Sequence, residues 1–458
     1  MSNSLNLNYT VSHDSGEGNR RAEAFFDAGT FVEIGAHLRR SGDSAEFEGV
    51  VTGYGAVDGK LVFAFFQDNG RKKGAIDALY ARKIAQIYSL AVKNGAPIVG
   101  VLDSAGASIY DGAASMAAYG VWMKSVADAS GVIPQITVID GVCAGSAAMV
   151  AAMSDFVVRV KESAEIYLNP SYEEEQTAPE TDGLVATTAE DEAAAFASVR
   201  TLLSLLPANN AEGTVVLESS DDPNRAIQWN NADLAASLKA LADGGEYYEL
   251  YADYGKGVST GFLALAGVVC GVIAGNSAEN GGAIGTEEAR KASKLISFCD
   301  AFGLPIVNLV DSVGLKNESA PAMVQELAKL AGAYANADCP VVTAVVGKAY
   351  GAGFTLTGAK ALGADVVFAL PDASISLLSP ASSVAFLWND RVSEDVSRES
   401  LEKEWQDAYA SPAEAACRGE VDDVIAPEEL RARLAAAVSM LISKADGTPS
   451  RRHPTLPL

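Results

Sequence analysis

Apolar residues alternate between two spacings along this chain. Ile76, Leu79, Tyr80, Ile84, Ile87, Tyr88 and Leu90 recur every three or four positions, which predicts a helix over Asp77 to Lys93. Gly95-Ala96-Pro97 ends it, and Ile98 to Leu102 follows as an unbroken apolar run. Such a run marks a strand covered on both faces of a parallel sheet. The alternation continues with a helix from about Ala113 to Ala129, a buried strand Gln135 to Ile139, a helix rich in Ala and Met, and a strand Phe156 to Val160. Upstream, Arg21 to Ala36 holds a short helix and the strand Phe31-Val32-Glu33-Ile34, after a loose polar tail over residues 1–20. Glu48 to Gly59 and Lys60 to Asp68 read as a hairpin turning at Asp58-Gly59. Strands alternating with helices predict an α/β fold.

The pattern then repeats. Gly74-Ala75-Ile76 returns as Gly282-Ala283-Ile284, Ala81-Arg82-Lys83 as Ala289-Arg290-Lys291, and Pro97-Ile98-Val99 as Pro305-Ile306-Val307. Asp103-Ser104 returns as Asp311-Ser312, and Gly106 as Gly314. Every pair is separated by 208 residues, as 282 is from 74. A period this long is not that of a solenoid; it places two domains of similar fold in tandem. The second copy has strands Ile306 to Val310 and Val341 to Val346 around a helix Ala322 to Ala337. Between the copies, Glu173 to Asp222 is acidic and weakly patterned apart from a helix around Ala195 to Leu206, and reads as a linker with an extended arm. We place the domains at residues 1–232 and 233–458.

Charge narrows the function. The chain has 458 residues, 59 acids against 34 bases, and a formal net charge of −25. That balance works against nucleic acid or an anionic membrane as a partner. The longest apolar runs fall far short of the ~20 residues that span a bilayer, and the polar N-terminus has no signal-peptide core, so we expect a cytoplasmic protein. The five cysteines lie far apart without a Cys-x-x-Cys pair, which predicts inert, buried thiols rather than a metal or disulfide framework. None of the three histidines, His13, His37 and His453, falls in the repeated core, so a histidine-activated nucleophile has little support. No phosphate loop and no metal-ligand spacing occur, so no metal is expected.

What recurs instead is a small-residue loop leaving a buried strand and entering a helix. Gly145-Ser146-Ala147 and Ala352-Gly353 leave main-chain N–H groups unobstructed, and a helix N-terminus adds positive potential. We expect Gly145 and Ser146 in one domain, and Ala352 and Gly353 in the other, to form two oxyanion holes. One lost donor of this kind costs on the order of 3–4 kcal/mol of transition-state stabilisation. The first loops, Ala105-Gly106-Ala107 and Val313-Gly314, together with Tyr350, Gly351 and Thr355, are the candidate substrate-binding positions.

Several separated motifs carry a resemblance. Gly49-Val-Val-Thr-Gly-Tyr-Gly55, Gln67-Asp68, Ser130-Gly-Val-Ile-Pro-Gln135, Cys143-Ala-Gly145, Phe298-Cys-Asp-Ala-Phe302, Lys348-Ala-Tyr-Gly351 and Gly419-Glu-Val-Asp-Asp423 occur in this order. Together they resemble the carboxyltransferase subunits of biotin-dependent acyl-CoA carboxylases and the related subunits of sodium-pumping acyl-CoA decarboxylases. The likeness runs from about Ala22 to Leu458. It implies two crotonase-like (ClpP/crotonase) domains, each a spiral of ββα units. It also implies an acyl-CoA thioester on the N-domain hole, Ala144-Gly145-Ser146, and biotin on the C-domain hole, Tyr350-Gly351-Ala352-Gly353. The implied reaction moves a carboxyl group between carboxybiotin and the α-carbon of a short-chain acyl-CoA. The family's arginine in the first loop is Ser108 here, and its late Met-Gly-Ala-Lys-Gly-Ala segment is Leu378-Ser-Pro-Ala-Ser-Ser383.

No Ala-Met-Lys-Met biotinylation sequence occurs, and Met123-Lys124 falls in an amphipathic helix, so biotin would arrive on a separate carrier protein. A biotin carboxylase or a membrane decarboxylase subunit would be the further partner, and the chain a homo-oligomer, a dimer or a hexamer built as a trimer of dimers. Two other readings stay open at this point. One is a crotonase-type hydratase, isomerase or thioesterase using Asp111 or Glu318 beside a hole. The other is a structural subunit without activity.

Overall fold

A computed structural model of the chain describes residues 16–38, 48–168, 183–317 and 321–444. The chain divides into two compact units, Met1–Glu212 and Gly213–Leu458. Residues 213–232 pack with the second unit: Val216 bridges to Val268, and Ile227 is buried in that unit's core.

In the first unit a hairpin, Val50–Val57 and Lys60–Gln67, starts the main sheet. Its turn residues Asp58 and Gly59 both take positive φ, 50° and 77°, which matches the right-handed twist of the flanking strands. From Lys60–Gln67 the sheet continues in parallel through Ile98–Ser104, Gln135–Ala144, Phe156–Val160 and Thr187–Ala189. Val32–Glu33 forms the other edge, and Glu165–Tyr167 pairs with the end of Gln135–Ala144. Helices Ala78–Asn94 and Ala113–Ala129 cover one face. Asp77 caps the first of them by accepting from the N–H groups of Leu79 and Tyr80, and Gly95 ends it in the left-handed region. Between them and the sheet lie Phe65, Tyr80, Ile84, Ile87 and Trp122, all at 2% exposure or less.

The second unit repeats this plan. Hairpin Val258–Leu265 and Val268–Gly275 is followed in parallel by Ile306–Ser312, Val341–Tyr350 and Val366–Ala369. Tyr247–Leu250 and Asp423–Val424 form the edges, and Ser374–Ser376 pairs with the end of Val341–Tyr350. Helices Thr286–Phe302 and Pro321–Asn336 match the first pair.

Three expectations are corrected. The first helix is Glu17–Phe25, so it starts inside the supposed tail. Both central strands run past their apolar cores, to Ala144 and Tyr350 rather than Ile139 and Val346. Cys417 is exposed, unlike the four buried cysteines. His13, His453, Glu318 and the run Glu173 to Glu175 lie outside the described residues. Among the described residues no helix is long and apolar enough to cross a membrane.

Candidate active site

Several of the residues that recur between the copies hold the loops at the strand ends. Asp103 is 9% exposed, and its Oδ1 accepts the Val142 N–H at 3.3 Å. Asp311 is 3% exposed, and its Oδ1 accepts the Lys348 N–H at 2.8 Å. Each carboxylate therefore pins a bulge in the neighbouring strand, where the register shifts between Leu102 and Ser104 and between Val310 and Ser312. Arg21, itself 5% exposed, lies 3.3 Å from Asp103 and 3.0 Å from Asp140, and so compensates the buried charge in the first unit.

Ser104 Oγ donates to Gly74 O at 2.6 Å and accepts from the Gly106 N–H at 3.1 Å. Ser312 Oγ accepts from the Gly314 N–H at 3.2 Å. Gly74 and Gly282 are required by close approach: a Cβ there would stand 2.8 Å from Asp103 O and 2.1 Å from Asp311 O. The loops then bridge back to the start of the covering helix. Ile76 N–H donates to Gly106 O and Ser108 N–H to Ile76 O, and Ile284 with Gly314 and Lys316 repeats this pair.

These bonds decide which N–H groups are left over. Ala105 donates to Lys73 O and Val313 to Gly281 O, while Gly106 and Gly314 donate to the serines. Among the described residues the N–H groups of Ala107 and Leu315 have no partner. Beside them the second loops enter their helices. The parallel register sets Ser104 opposite Cys143 and Ser312 opposite Ala349, so both loops leave the same end of the sheet. Gly145 and Gly351 are the corresponding N-cap residues, at φ 59°, ψ −124° and φ 54°, ψ −134°. A side chain is strained there.

Gly145, expected above as a donor, spends its N–H on Tyr167 O at 2.8 Å, as Gly351 does on Ser376 O at 2.9 Å. The unspent donors are one and two residues further on: Ser146 and Ala147 open the helix Ser146–Met153, and Ala352 and Gly353 open the turn Ala352–Thr355. Gly353 packs against the first loop so closely that a Cβ would stand 2.8 Å from Gly314 Cα.

In the second unit a cleft of about 650 Å³ collects Val313, Gly314, Tyr350, Gly351 and Ala352. Gly353 is buried and Thr355 stands exposed at the far end of its turn, outside that lining. In the first unit Ala105 and Ala107 are exposed and Gly106 is buried. Ala147 and Lys348 enter the sequence reading only within their motifs, and Leu315 is not a candidate position there, although Leu315 is the repeat partner of Ala107. Asp111, one candidate acid of the hydratase reading, accepts the Ser108 hydroxyl at 2.5 Å. Burial pushes the Cys143 thiol up to about 12, which removes it as a nucleophile. Among the described residues no group of three His, Cys, Asp or Glu is placed to hold a metal ion.

The arrangement leaves main-chain N–H donors at the same end of the sheet in each unit. A family model described as the carboxyl transferase domain matches residues 18–456. The alpha subunit of methylmalonyl-CoA decarboxylase from Veillonella parvula is 34% identical, over 96% of this chain and 92% of that protein. The carboxyltransferase subunit of propionyl-CoA carboxylase from Haloferax mediterranei is 33% identical, over 97% of this chain and 94% of that protein. A crystal structure of transcarboxylase 12S, a hexamer with methylmalonyl-coenzyme A and methylmalonic acid bound, superposes with a TM-score of 0.89 at 30% identity, covering 96% of this chain and 92% of that one.

Proposed function

The chain belongs to the carboxyl transferase family, and from that premise we propose that it moves a carboxyl group between biotin on a separate carrier protein and the α-carbon of a short-chain acyl-CoA. The matched donor sets carry this reading. Transfer of a carboxyl group to or from the α-carbon develops negative charge on the thioester oxygen. Ala107 with Ser146 and Ala147 supply N–H groups for that oxygen in the first unit. In the second unit Leu315, Ala352 and Gly353 do the same for a ureido oxygen. The fit to biotin is chemical: a urea oxygen asks for N–H donors, and the adjoining cleft of about 650 Å³ has room for a small bicyclic ring. When bound, biotin supplies the nitrogen on which the carboxyl group travels. Donors fixed before the reaction stabilise such charge without reorganising.

The same site serves both directions, so the partner subunit decides between carboxylation and decarboxylation. A biotin carboxylase makes the first, a membrane decarboxylase subunit the second. The chain works as a homo-oligomer, a dimer or a trimer of dimers, with the thioester of one subunit facing the biotin of another. Methylmalonyl-CoA or malonyl-CoA labelled in the free carboxyl group, incubated with the chain and free biocytin, is expected to pass the label to biocytin. No biocytin-dependent transfer from either thioester would overturn the reading. Light scattering that gave an active monomer of 47.4 kDa would overturn the shared site.

A further inference from the structure

Beyond the two donor sets, the second unit has a relay of side-chain hydrogen bonds along one wall of its clefts. The cleft of about 650 Å³ meets another of about 750 Å³, and Lys348 and Tyr350 line both. The larger cleft is also lined by Asp311, Ser374, Gln406 and Asp407. The Tyr350 hydroxyl donates to Ser374 Oγ at 3.1 Å, and Ser374 Oγ donates to Gln406 Oε1 at 2.5 Å. Gln406 opens a five-residue π-helical turn, Gln406–Ala410, a form that recurs at functional sites.

The direction of this relay is fixed at its far end. The Gln406 amide nitrogen donates to Ala373 O at 3.3 Å and to Ala410 O at 3.1 Å. Only an NH₂ group satisfies two carbonyls, so the amide oxygen must face Ser374. An amide oxygen carries no proton, so Ser374 gives its own, and its oxygen is left to accept from Tyr350. The Tyr350 proton is thereby turned along the wall, and its phenolic oxygen offers only a lone pair to the clefts.

We propose that Tyr350 is a specificity-determining residue that accepts a hydrogen bond from the non-reacting ureido N–H of biotin, and that Gln406, acting through Ser374, is the positioning residue that keeps the phenol an acceptor. This deepens the functional reading above and rests on it. A urea needs donors for its oxygen and an acceptor for its N–H. The Leu315 and Ala352 donors stand on one cleft and the Tyr350 acceptor where the two clefts meet.

The test compares free biocytin with an analogue methylated on the non-reacting ureido nitrogen, in carboxyl transfer from methylmalonyl-CoA. The measured quantity is the ratio of kcat/KM for the two acceptors. Tyr350→Phe should shrink that ratio by about three- to tenfold, the scale of one neutral hydrogen bond, with KM for the thioester unchanged. Gln406→Leu should shrink it similarly while leaving the tyrosine in place. Ser374→Ala replaces Gln406→Leu if the latter misfolds. A wild-type ratio in folded Tyr350→Phe overturns the acceptor role, and one in folded Gln406→Leu overturns the positioning role. Wild-type chain that transfers nothing to biocytin fails earlier, at the reading on which the proposal rests.

Discussion

Ala352→Pro isolates one donor. Ala352 is the first residue of its turn, is exposed, and has an N–H without a partner among the described residues. Proline is well accommodated at such a position, because its φ near −65° suits the turn and the N–H it lacks makes no internal bond. Gly351 before it sits at ψ −134°, outside the α region that a residue preceding proline must avoid. The fold therefore loses no hydrogen bond, whereas the proposed ureido site loses one of its donors. The expected fall in kcat is roughly a hundredfold to a thousandfold, about 3–4 kcal/mol at the transition state, with KM for the thioester unchanged. Ala352→Val, which keeps the N–H, is the control and should stay within about threefold of wild type. Initial rates of carboxyl transfer to biocytin provide the assay, and circular dichroism with thermal melting checks the fold. A folded Ala352→Pro protein at wild-type rate refutes the main-chain mechanism. Gly145→Pro and Gly351→Pro are poorer tests. Proline cannot take φ 59° or 54°, and each would also break a bond to a neighbouring strand.

In the first unit Ser146→Pro should lower transfer by a similar factor. Ser146→Ala should stay within about twofold, since the hydroxyl has no partner among the described residues; a complete loss in Ser146→Ala would instead identify a nucleophilic serine. Gly353→Ala drives a methyl against Gly314 Cα at 2.8 Å, which should destabilise the chain by about 1–3 kcal/mol and, by displacing the donors about 1 Å, slow transfer roughly a hundredfold; an unchanged rate would show that the loop tolerates the shift. Lys83 and Lys291 are buried, and burial pulls both ammonium groups from 10.5 to about 8. Between those pH values the unfolded chain keeps protons that the folded chain has released, so the stability these lysines contribute rises with pH, by up to about 3 kcal/mol each. Urea midpoints of Lys83→Met/Lys291→Met relative to wild type should therefore fall from pH 7.5 to pH 10.5; a parallel pH profile would contradict the shift.

Periodicity located the elements well where burial controls it. The helices predicted over Asp77 to Lys93 and Ala113 to Ala129 form as Ala78–Asn94 and Ala113–Ala129. Strand ends were harder to read, because Gln135–Ala144 leaves the core at the Gly141 bulge while its backbone continues. Apolar pattern reports the core, not the ladder. The loops of the candidate site stood out because they occur twice. Which of their N–H groups are free did not, because that depends on partners such as Tyr167 and Ser376 that no local pattern announces. Gln406 was equally hidden: it touches the site through Ser374, which lies 32 positions away and is paired beside Lys348.

The aspartate clamps have a consequence for how such a chain diversifies. Asp103 closes its bulge on Val142, and Asp311 closes its own on Lys348, so each half carries its own latch. A change in the side chains around one loop need not unlatch the other. After a duplication, two halves latched in this way can drift toward different ligands without passing through a form in which both are broken. The same independence recommends the chain for engineering: a loop such as Val313 to Lys316 can be exchanged in one half while the other is retained as an internal reference.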